Sequence, residues 1–285
     1  MHLVYQSPIL LTMSEQTSRK INQLLETLSD TDLVSARWLR AHGYSSSLVA
    51  RYVASGWLES PARGVYMRKG GLLLWEGVLH SLQANEQLPV HAGGRHALAW
   101  HGHEHYLRLG EAATVTLYGP TRVPGWVRHL KLPEHFEHCG RGPFDLTPLS
   151  LTDGVTDDEL YERGLEREAD TSLSASVVLA SNERAMLELC DAPPNAALVY
   201  EVDALMQGLA GLRPELVSRL LHLCSSIKAK RLFLALAERH AHPWLARLDL
   251  DGVNLGSGKR VLVPGGRLHP KYQITLPEDL DAHLG

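Results

Sequence analysis

The sequence lacks the patterns that mark several large classes of protein. No run of apolar residues in the 285-residue chain approaches the ~18 that a membrane-spanning helix needs. Its three cysteines, Cys139, Cys190 and Cys224, lie far apart without a C-x-x-C pair, which argues against a disulfide framework or a cysteine zinc site. We therefore expect reduced thiols in a cytoplasmic protein.

Motifs of the common catalytic classes are also missing. No G-x-S-x-G or H-E-x-x-H string occurs, and the scattered carboxylates form no recognisable acid–base pair. Gly256-Ser257-Gly258-Lys259 resembles a phosphate-binding loop, but Val253 and Arg260 stand where that motif requires glycine and Ser or Thr. This departure favours a hairpin turn, and we predict neither an enzyme nor a bound cofactor.

Histidine, by contrast, is abundant, with 16 residues. Six side chains of the kind that bind metals lie close together in the chain: His91, His96, His101, His103, Glu104 and His105. The last three histidines alternate, so an extended segment would place them on one face. However, Gly93-Gly94 and Gly102 indicate a loop, and no established metal-binding spacing accompanies them. We predict no metal site here, and an enzyme that uses these histidines is the third of three hypotheses.

The most strongly patterned part of the chain lies between Arg19 and Lys69. Four apolar residues recur at the spacing i, i+3, i+4 and i+7, namely Ile21, Leu24, Leu25 and Leu28. This spacing predicts an amphipathic helix. Ser35 can cap a short second helix over Ala36 to Ala41, which Gly43 is suited to end.

A third helix is predicted after three consecutive serines, residues 45–47, any of which can cap it. The residues expected to point inward are Val49, Val53 and Trp57. The residues expected to point outward are Ser47, Arg51 and Ala54. Two short strands follow, Gly56 to Glu59 and Val65 to Met67, and Pro61 to Gly64 forms the turn between them.

Three helices followed by a hairpin are the parts of a winged helix-turn-helix DNA-binding unit, whose third helix fits the major groove. The same order can also be a packing solution in a protein that binds no DNA, and this alternative stays open. Residues 14–69 contain 8 Lys or Arg and 5 Asp or Glu, a balance of +3, whereas the whole chain stands at -4. Because +3 is small, useful affinity would need self-association on repeated half-sites.

The sequence predicts an α+β protein in which a mixed α/β body follows this head, residues 14–69. Residues 1–13 lack the basic start and cleavage site of a signal peptide, and we expect them to be a disordered extension with Met13 as the true start. Residues 70–151 are predicted to form an α/β middle domain. Residues 152–285 are predicted to form a C-terminal helical block with terminal β hairpins.

Strands and helices of the body are predicted from alternation, capping residues and breakers. The predicted strands are Thr114–Tyr118, Val127–Leu132, Phe144–Leu151, Leu245–Leu250, Arg260–Val263 and Tyr272–Leu276. The predicted helices are Leu72–Ala84, Asn182–Cys190, Leu198–Leu209, Pro214–Cys224 and Ile227–His240. An acidic segment, residues 153–170, has 8 acidic and 2 basic residues and is predicted to form a solvated helix face.

A second basic segment runs from Arg213 to Lys271, with 11 Lys or Arg against 4 Asp or Glu, a balance of +7. Its most clustered cations are Lys228, Lys230, Arg231, Lys259 and Arg260. They could form a surface for nucleic acid or an acidic partner, or they could pair with the acidic segment inside the fold. The sequence leaves both interpretations open.

Several short strings, taken in order, resemble one protein family. They are Ser55–Leu58, Ala62–Tyr66, Gly93–Leu98 with His101-Gly102, Ser181–Ala185, Ser226–Phe233 and Gly256–Arg260. Over about Ser18 to Pro277 the chain is similar to the AbiEi antitoxin family of type IV toxin–antitoxin systems.

This resemblance implies two roles. The head would repress its own operon by binding inverted repeats in the promoter, and the remainder would counteract a nucleotidyltransferase-like toxin encoded next door without needing a stable complex. Base contacts would come from Ser46, Ser47 and Arg51. Backbone contacts would come from Arg63, Tyr66, Arg68 and Lys69. The antitoxin body would include Lys228, Lys230, Arg231, Lys259 and Arg260. A stand-alone regulator whose body senses a ligand or partner is the second hypothesis.

Overall fold

The structure is a computed structural model that describes residues 19–103, 113–145, 151, 154–170 and 175–280. The extension predicted for residues 1–13 and most of the strand predicted over Phe144–Leu151 lie outside these residues. The chain divides into two compact units. The first contains residues 19–86, 124–132 and the described part of 169–177, and the second contains the rest. Within the described ranges, no helix has both the length and the apolar character needed to cross a membrane.

The first unit begins with three helices and a three-stranded sheet. Helix α1 occupies residues 19–27. It is followed by β1 (Val34–Ser35), α2 (Ala36–Ala41), α3 (Ser46–Ala54), β2 (Leu58–Ala62) and β3 (Val65–Arg68). Strand β3 lies between β1 and β2 and is antiparallel to both. The predicted helices and hairpin are confirmed, and the Ser35 and Ser45 hydroxyls accept hydrogen bonds from Trp38 N and Leu48 N at the helix starts.

The core of this unit corrects the face predicted for α3. Leu48, Val49 and Tyr52 are the buried residues of the helix, and they pack in one cluster with α1 and α2. Val53 is 37% exposed and Trp57 is 50% exposed. The reason is the helical period, because Leu48 and Tyr52 are four residues apart and share a face that Val53 does not.

Helix α4 (Trp75–His80) extends the first unit beyond the head and continues as a π-helical turn over Ser81–Asn85. The Ser81 hydroxyl accepts a hydrogen bond from Leu33 N at 2.7 Å, and the Asn85 amide donates to Leu33 O at 3.1 Å. Arg37 of α2 forms an ion pair with Glu86 at 2.5 Å. Side chains C-terminal to Lys69 therefore complete the hydrogen bonds of the loop and strand around Leu33.

Two of the strand predictions that are wrong fall on 3₁₀ turns. The segment predicted as strand Val127–Leu132 forms a turn over Gly125–His129, and that predicted as Leu245–Leu250 forms a turn over Pro243–Arg247. A proline stands at or just before the start of each turn. Proline fixes φ near the helical value, so it is well placed to begin a helical turn.

A five-stranded sheet, most of whose residues belong to the second unit, has the strand order β6-β5-β4-β8-β7. The strands are β4 (His91–Gly93), β5 (Thr114–Tyr118), β6 (His135–Cys139), β7 (Leu165–Asp170) and β8 (Ala175–Ala180). Strand β5 is antiparallel to β4 and parallel to β6, and β4 is parallel to β8. The strand predicted at Thr114–Tyr118 is confirmed, whereas the acidic segment contains a short helix and a strand.

Helices supply most of the core of this unit. They are α5 (Gly94–Leu98), α6 (Asp157–Glu162), α7 (Asn182–Cys190), α8 (Ala196–Gly208), α9 (Pro214–Leu223) and α10 (Ile227–Arg239). One apolar cluster joins α5 and α7 to α10, with Phe233 fully buried within it. Near the C-terminus, β9 (Arg267–Leu268) pairs antiparallel with β10 (Thr275–Leu276). The strand predicted at Arg260–Val263 is reduced to a bridge between Arg260 and Ile274.

Candidate nucleic-acid interface

Helix α3 presents a polar outer face in the first unit. Ser46, Ser47 and Arg51 are all exposed, as predicted for residues that would contact bases. The hydroxyl of Ser47 lies 3.1 Å from that of Ser45, the residue that caps the helix. The side chain of Arg51 has no hydrogen-bonding or ion-pair partner within the described residues. Its guanidinium is therefore available to an external acceptor.

The hairpin between β2 and β3 places a second cation at its turn. Arg63 is exposed and also has no side-chain partner among the described residues. Gly64 beside it has a φ of +79°, in the left-handed region that favours glycine. The Ser60 hydroxyl donates to Ala62 O at 2.8 Å and to Val65 O at 2.9 Å, which fixes the turn from within.

The other predicted hairpin contacts already have partners inside the first unit. Tyr66 is half-buried and packs against the cluster formed by the three helices. Arg68 pairs with Asp30 at 3.1 Å, and Lys69 pairs with Glu59 at 2.9 Å. These two cations would have to exchange a carboxylate for a phosphate, which makes them weaker candidates than Arg63.

The predicted basic surface of the body is corrected at three positions. Lys228 is half-buried and donates to the carbonyls of Asp191 at 2.6 Å and Ala192 at 2.8 Å. Lys230 is 3% exposed and Arg231 is 4% exposed, because α10 is buried on almost every side. Lys259 and Arg260 are exposed. The five cations therefore do not form one surface.

Arg231 instead holds the segment that resembles a phosphate loop. Its guanidinium donates to Leu255 O and to Gly258 O, both at 2.7 Å. The hydrogen-bond donor, Arg231, lies in α10, and the carbonyl acceptors lie in the loop. The buried guanidinium of Arg231 therefore holds the turn at residues 256–258 in place.

Two of the strings that carry the family resemblance meet at a buried carboxylate, Glu188 of α7. Its Oε1 accepts hydrogen bonds from His91 Nε2 at 2.9 Å and from Arg184 Nε at 2.7 Å. Its Oε2 accepts from Gly94 N at 3.2 Å. A Cβ on Gly93 would collide with this carboxylate and with the ring of Tyr118. Glycine at this position therefore leaves room for a polar cluster in the core.

The protonation states in this cluster follow from burial and charge. Burial alone would raise the pKa of Glu188, but His91 and then Arg184 outweigh it and hold the pKa below its ordinary value. Burial lowers the pKa of His91, and the opposing attraction of Glu188 is smaller. Glu188 is therefore favoured as a carboxylate, and Arg184, 2.7 Å away, supplies a compensating positive charge.

A second cluster lies around Arg213, next to the Ser181–Ala185 string. Arg213 Nη2 contacts Glu183 Oε2 at 2.7 Å and Glu166 Oε1 at 2.6 Å. Arg213 N also donates to Glu183 Oε1 at 2.9 Å. Glu183 and Glu188 were not singled out from the sequence. The i, i+4 spacing of Arg184 and Glu188 on a capped helix was a signal that could have found the second of them.

The histidines are not brought together as a group. His91 belongs to the buried Glu188 cluster, and burial, followed by the charge of Arg95, lowers the pKa of His96 to about 4. His101 and His103 lie in a π-helical turn, Ala99–His103, rather than in a strand. Glu104 and His105 lie outside the described residues.

The body also contains a cavity of about 420 Å³. It is lined by Ala235, Glu238, Arg239, Arg267, His269, Pro270, Leu276, Pro277 and Leu280. Its volume lies within the range of small-molecule sites, roughly 300–1,000 Å³. The lining combines apolar and charged side chains.

Comparison with known families defines the class of protein, and that class is a transcriptional regulator. Residues 17–109 match a family model described as the transcriptional regulator, AbiEi antitoxin N-terminal domain. Residues 112–277 match a model described as the transcriptional regulator, AbiEi antitoxin, type IV TA system. The chain therefore belongs to the AbiEi antitoxin family of type IV toxin–antitoxin systems, as the resemblance in its sequence had indicated.

A solved structure supports the fold over the same length. The crystal structure of the RV2827C protein from Mycobacterium tuberculosis is similar to this chain, with a TM-score of 0.53, 15% sequence identity and coverage of 93% of each chain. At this identity the similarity shows the fold alone. No curated protein matches the chain.

Proposed function

We propose that the protein is an autorepressing antitoxin that acts in the cytoplasm. The head, as a winged helix-turn-helix unit, binds inverted repeats in the promoter of its own operon. The body counteracts a nucleotidyltransferase-like toxin encoded next door and does so without a stable complex. Family membership supports the two roles in general, and the details are inferred from the arrangement of the head.

The observation that carries the DNA-binding role is the outer face of α3. Its apolar residues are used in the core, while Ser46, Ser47 and Arg51 are exposed on a helix of a width that the major groove accepts. Arginine can donate two hydrogen bonds to a guanine, and serine can bond to several bases. We therefore assign base contacts to α3.

The hairpin has a different task in this proposal. Arg63 lies at its turn and would contact phosphate, which fixes the position of the head but reads no sequence. Tyr66, Arg68 and Lys69 would support or join this contact along the strand. Because the head carries only +3, two copies bound to the two halves of an inverted repeat would supply the affinity that one copy lacks.

Binding to the promoter fragment upstream of the gene tests this division of roles. We expect R51A to weaken specific binding about tenfold or more while leaving binding to scrambled DNA nearly unchanged. R63A should weaken binding to both DNAs and reduce the slope of log affinity against log salt by about 0.9 for each lost phosphate contact. R247A, an exposed arginine of the body, is the matched control. Equal effects of R51A and R63A on both DNAs would refute the assignment.

The antitoxin role is tested in the full-length chain. The double variant R51A/R63A should lose repression of a reporter but still rescue cells that express the neighbouring toxin gene. The double variant K259A/R260A, which changes the exposed cations of the body, should repress normally and rescue less well. Failure of the unmodified protein to rescue cells would reject the antitoxin proposal and leave a regulator.

One observation favours the second candidate, a stand-alone regulator whose body senses a ligand. The cavity of about 420 Å³ has the size and mixed lining of a small-molecule site. In that case the protein would repress its promoter but would not rescue cells from the toxin. Addition of the low-molecular-mass filtrate of a cell extract would then change the affinity of the protein for the promoter.

A further inference from the structure

We propose that His101, Glu166 and Glu168 bind a divalent cation of the manganese class. One ligand atom from each residue lies within 4.8 Å of the others. The site differs from the one considered from the sequence, because it combines one histidine with two carboxylates from strand β7 that lie 65 or more residues further along the chain.

Distances around His101 resemble the spacing of ligands around a metal ion. Its Nε2 atom is hydrogen-bonded to the carbonyl oxygen of Ala180 at 3.0 Å and lies 3.8 Å from Glu166 Oε2. To bind a metal ion, Nε2 would give up this hydrogen bond, and the imidazole would carry its proton on Nδ1 instead. In an octahedral site with metal–ligand distances of about 2.1 Å, neighbouring ligands lie about 3.0 Å apart and opposite ligands about 4.2 Å apart. Since no pair of these atoms is more than 4.8 Å apart, an inward movement of at most roughly 0.6 Å would bring the most distant pair to the latter value. The Ala180 carbonyl is a fourth oxygen or nitrogen donor in the same place.

The charge of the site favours a dication. Arg213 pairs with Glu166 and Glu183, so two carboxylates share one guanidinium, and Glu168 adds a third carboxylate that has no cation of its own. The Glu168 side chain forms no ion pair or hydrogen bond within the described part of the chain. These four groups sum to a charge of -2, which a divalent ion would neutralise.

Arg213 also orients the ligand set. It holds Glu166 through Oε1 at 2.6 Å, which leaves Oε2 on the side of His101. Metal-binding carboxylates are commonly fixed by a second group in this way, and loss of such support weakens metal binding. Glu166 and Glu168 are two residues apart in one strand, so they lie on the same face of the sheet.

The donor set indicates the class of ion. One imidazole nitrogen, two carboxylates and a carbonyl, without a thiolate, suit a cation that accepts both oxygen and nitrogen, as Mn²⁺ does. Mg²⁺ prefers oxygen ligands and retains its waters, so it should bind more weakly here. The ion would join the π-helical turn at residues 99–103 to strand β7, which is a structural role independent of DNA binding.

Electron paramagnetic resonance of Mn²⁺ added to the tag-free, dialysed full-length protein tests the site, because bound ions lose the six-line signal of free Mn²⁺. We expect one saturable site per chain, with binding weakened tenfold or more in H101Q and in E168Q. Both changes are conservative, and the glutamine of H101Q can still donate to the Ala180 carbonyl.

Two variants provide matched controls. H129Q removes an exposed histidine, and D158N removes an exposed carboxylate of α6, and both should bind Mn²⁺ as the unmodified protein does. Circular dichroism establishes that all four variants are folded. Absence of saturable binding below millimolar Mn²⁺, or equal affinity in all four variants, would overturn the proposal.

Discussion

At the scale of single residues, several residues in the short sequence strings that resemble the family lie in the core of the body rather than on its surface. The backbone of Gly93 and Gly94 passes beside the Glu188 carboxylate, and Arg184 both neutralises that carboxylate and lies over the ring of Phe144 at 4.5 Å. A buried charge needs such partners to be tolerated. Changes here should therefore alter stability before they alter recognition.

The substitution G93A should destabilise the protein by about 2 kcal/mol, because its methyl group must displace a buried carboxylate or the Tyr118 ring. Urea unfolding of the full-length protein measures the effect. G211A is the matched control, since a Cβ at Gly211 meets nothing within 4 Å. If both variants unfold at the same urea concentration, the packing around Gly93 is looser than described.

His96 should make the stability depend on pH in a defined window. Burial lowers the pKa of His96 in the folded protein from 6.5 to about 4. As the pH falls below 6.5, His96 is therefore protonated in the unfolded chain while it is still neutral in the folded chain. Stability attributable to His96 is therefore complete above pH 6.5 and is lost progressively down to about pH 4. Below that, both states are protonated and the loss ends.

Comparison with H96Q isolates this contribution. Between pH 7 and pH 4.5, the free energy of unfolding of the unmodified protein should fall by about 2 kcal/mol more than that of H96Q. The exposed His129 supplies the control H129Q, which should keep the full pH dependence. An unchanged dependence in H96Q would show that His96 titrates normally in the folded state.

At the scale of helices and strands, the sequence predicted elements well where a local signal marks the ends. Ser35 and Ser181 cap helices that were placed correctly, and α10 was placed to within one residue. Two of the strand errors fall on 3₁₀ turns, because alternation over five residues does not distinguish a strand from such a turn. Local pattern therefore recovered the order of elements better than the nature of short ones.

The burial of the cations in the predicted basic surface of the body could not be recognised from composition, because it depends on contacts between residues that are distant in the sequence. The carbonyls that accept from Arg231 belong to residues 24 and 27 positions away, and α10 is covered by elements that its own sequence does not specify. For the head, the three residues predicted to contact bases are all exposed on α3, although the buried face was predicted with an offset, since Leu48 and Tyr52 rather than Val53 complete it.

Arg231 should stabilise the conformation of the loop at residues 254–260. R231M removes the donor of two buried hydrogen bonds, so it should cost about 2 to 3 kcal/mol and increase hydrogen exchange of that loop above the rest of the body. R247M, which breaks an exposed pair with Glu215, should cost less than roughly 0.5 kcal/mol. Protection of the loop in R231M equal to that in the control would contradict this role.

At the scale of the whole molecule, the domain boundary predicted at Lys69 stays a prediction. The contacts around Leu33 indicate that residues beyond Lys69 help to stabilise the head. Ser81 and Asn85 satisfy the amide and carbonyl of Leu33, and Arg37 pairs with Glu86. A head isolated without these residues would leave backbone groups of Leu33 without their partners.

A fragment ending at Glu86 should therefore be more stable than one ending at Lys69, when both begin at Ser14. Each unsatisfied buried backbone group costs about 1 to 3 kcal/mol, so the shorter fragment should unfold at a clearly lower urea concentration. The substitution S81A in the longer fragment should remove part of the difference. Equal stability of the two fragments would place the functional boundary at Lys69.

The discontinuity of the first unit also bears on the order of events during synthesis. Its first long segment ends at residue 86, but its last segment ends at residue 177. At roughly 5–20 residues per second, the ribosome needs about 5 to 18 s to make the intervening stretch. During that interval the nascent chain holds an incomplete unit, so cotranslational chaperones would have their best access to it, and the unit would be complete only after residue 177 has been added.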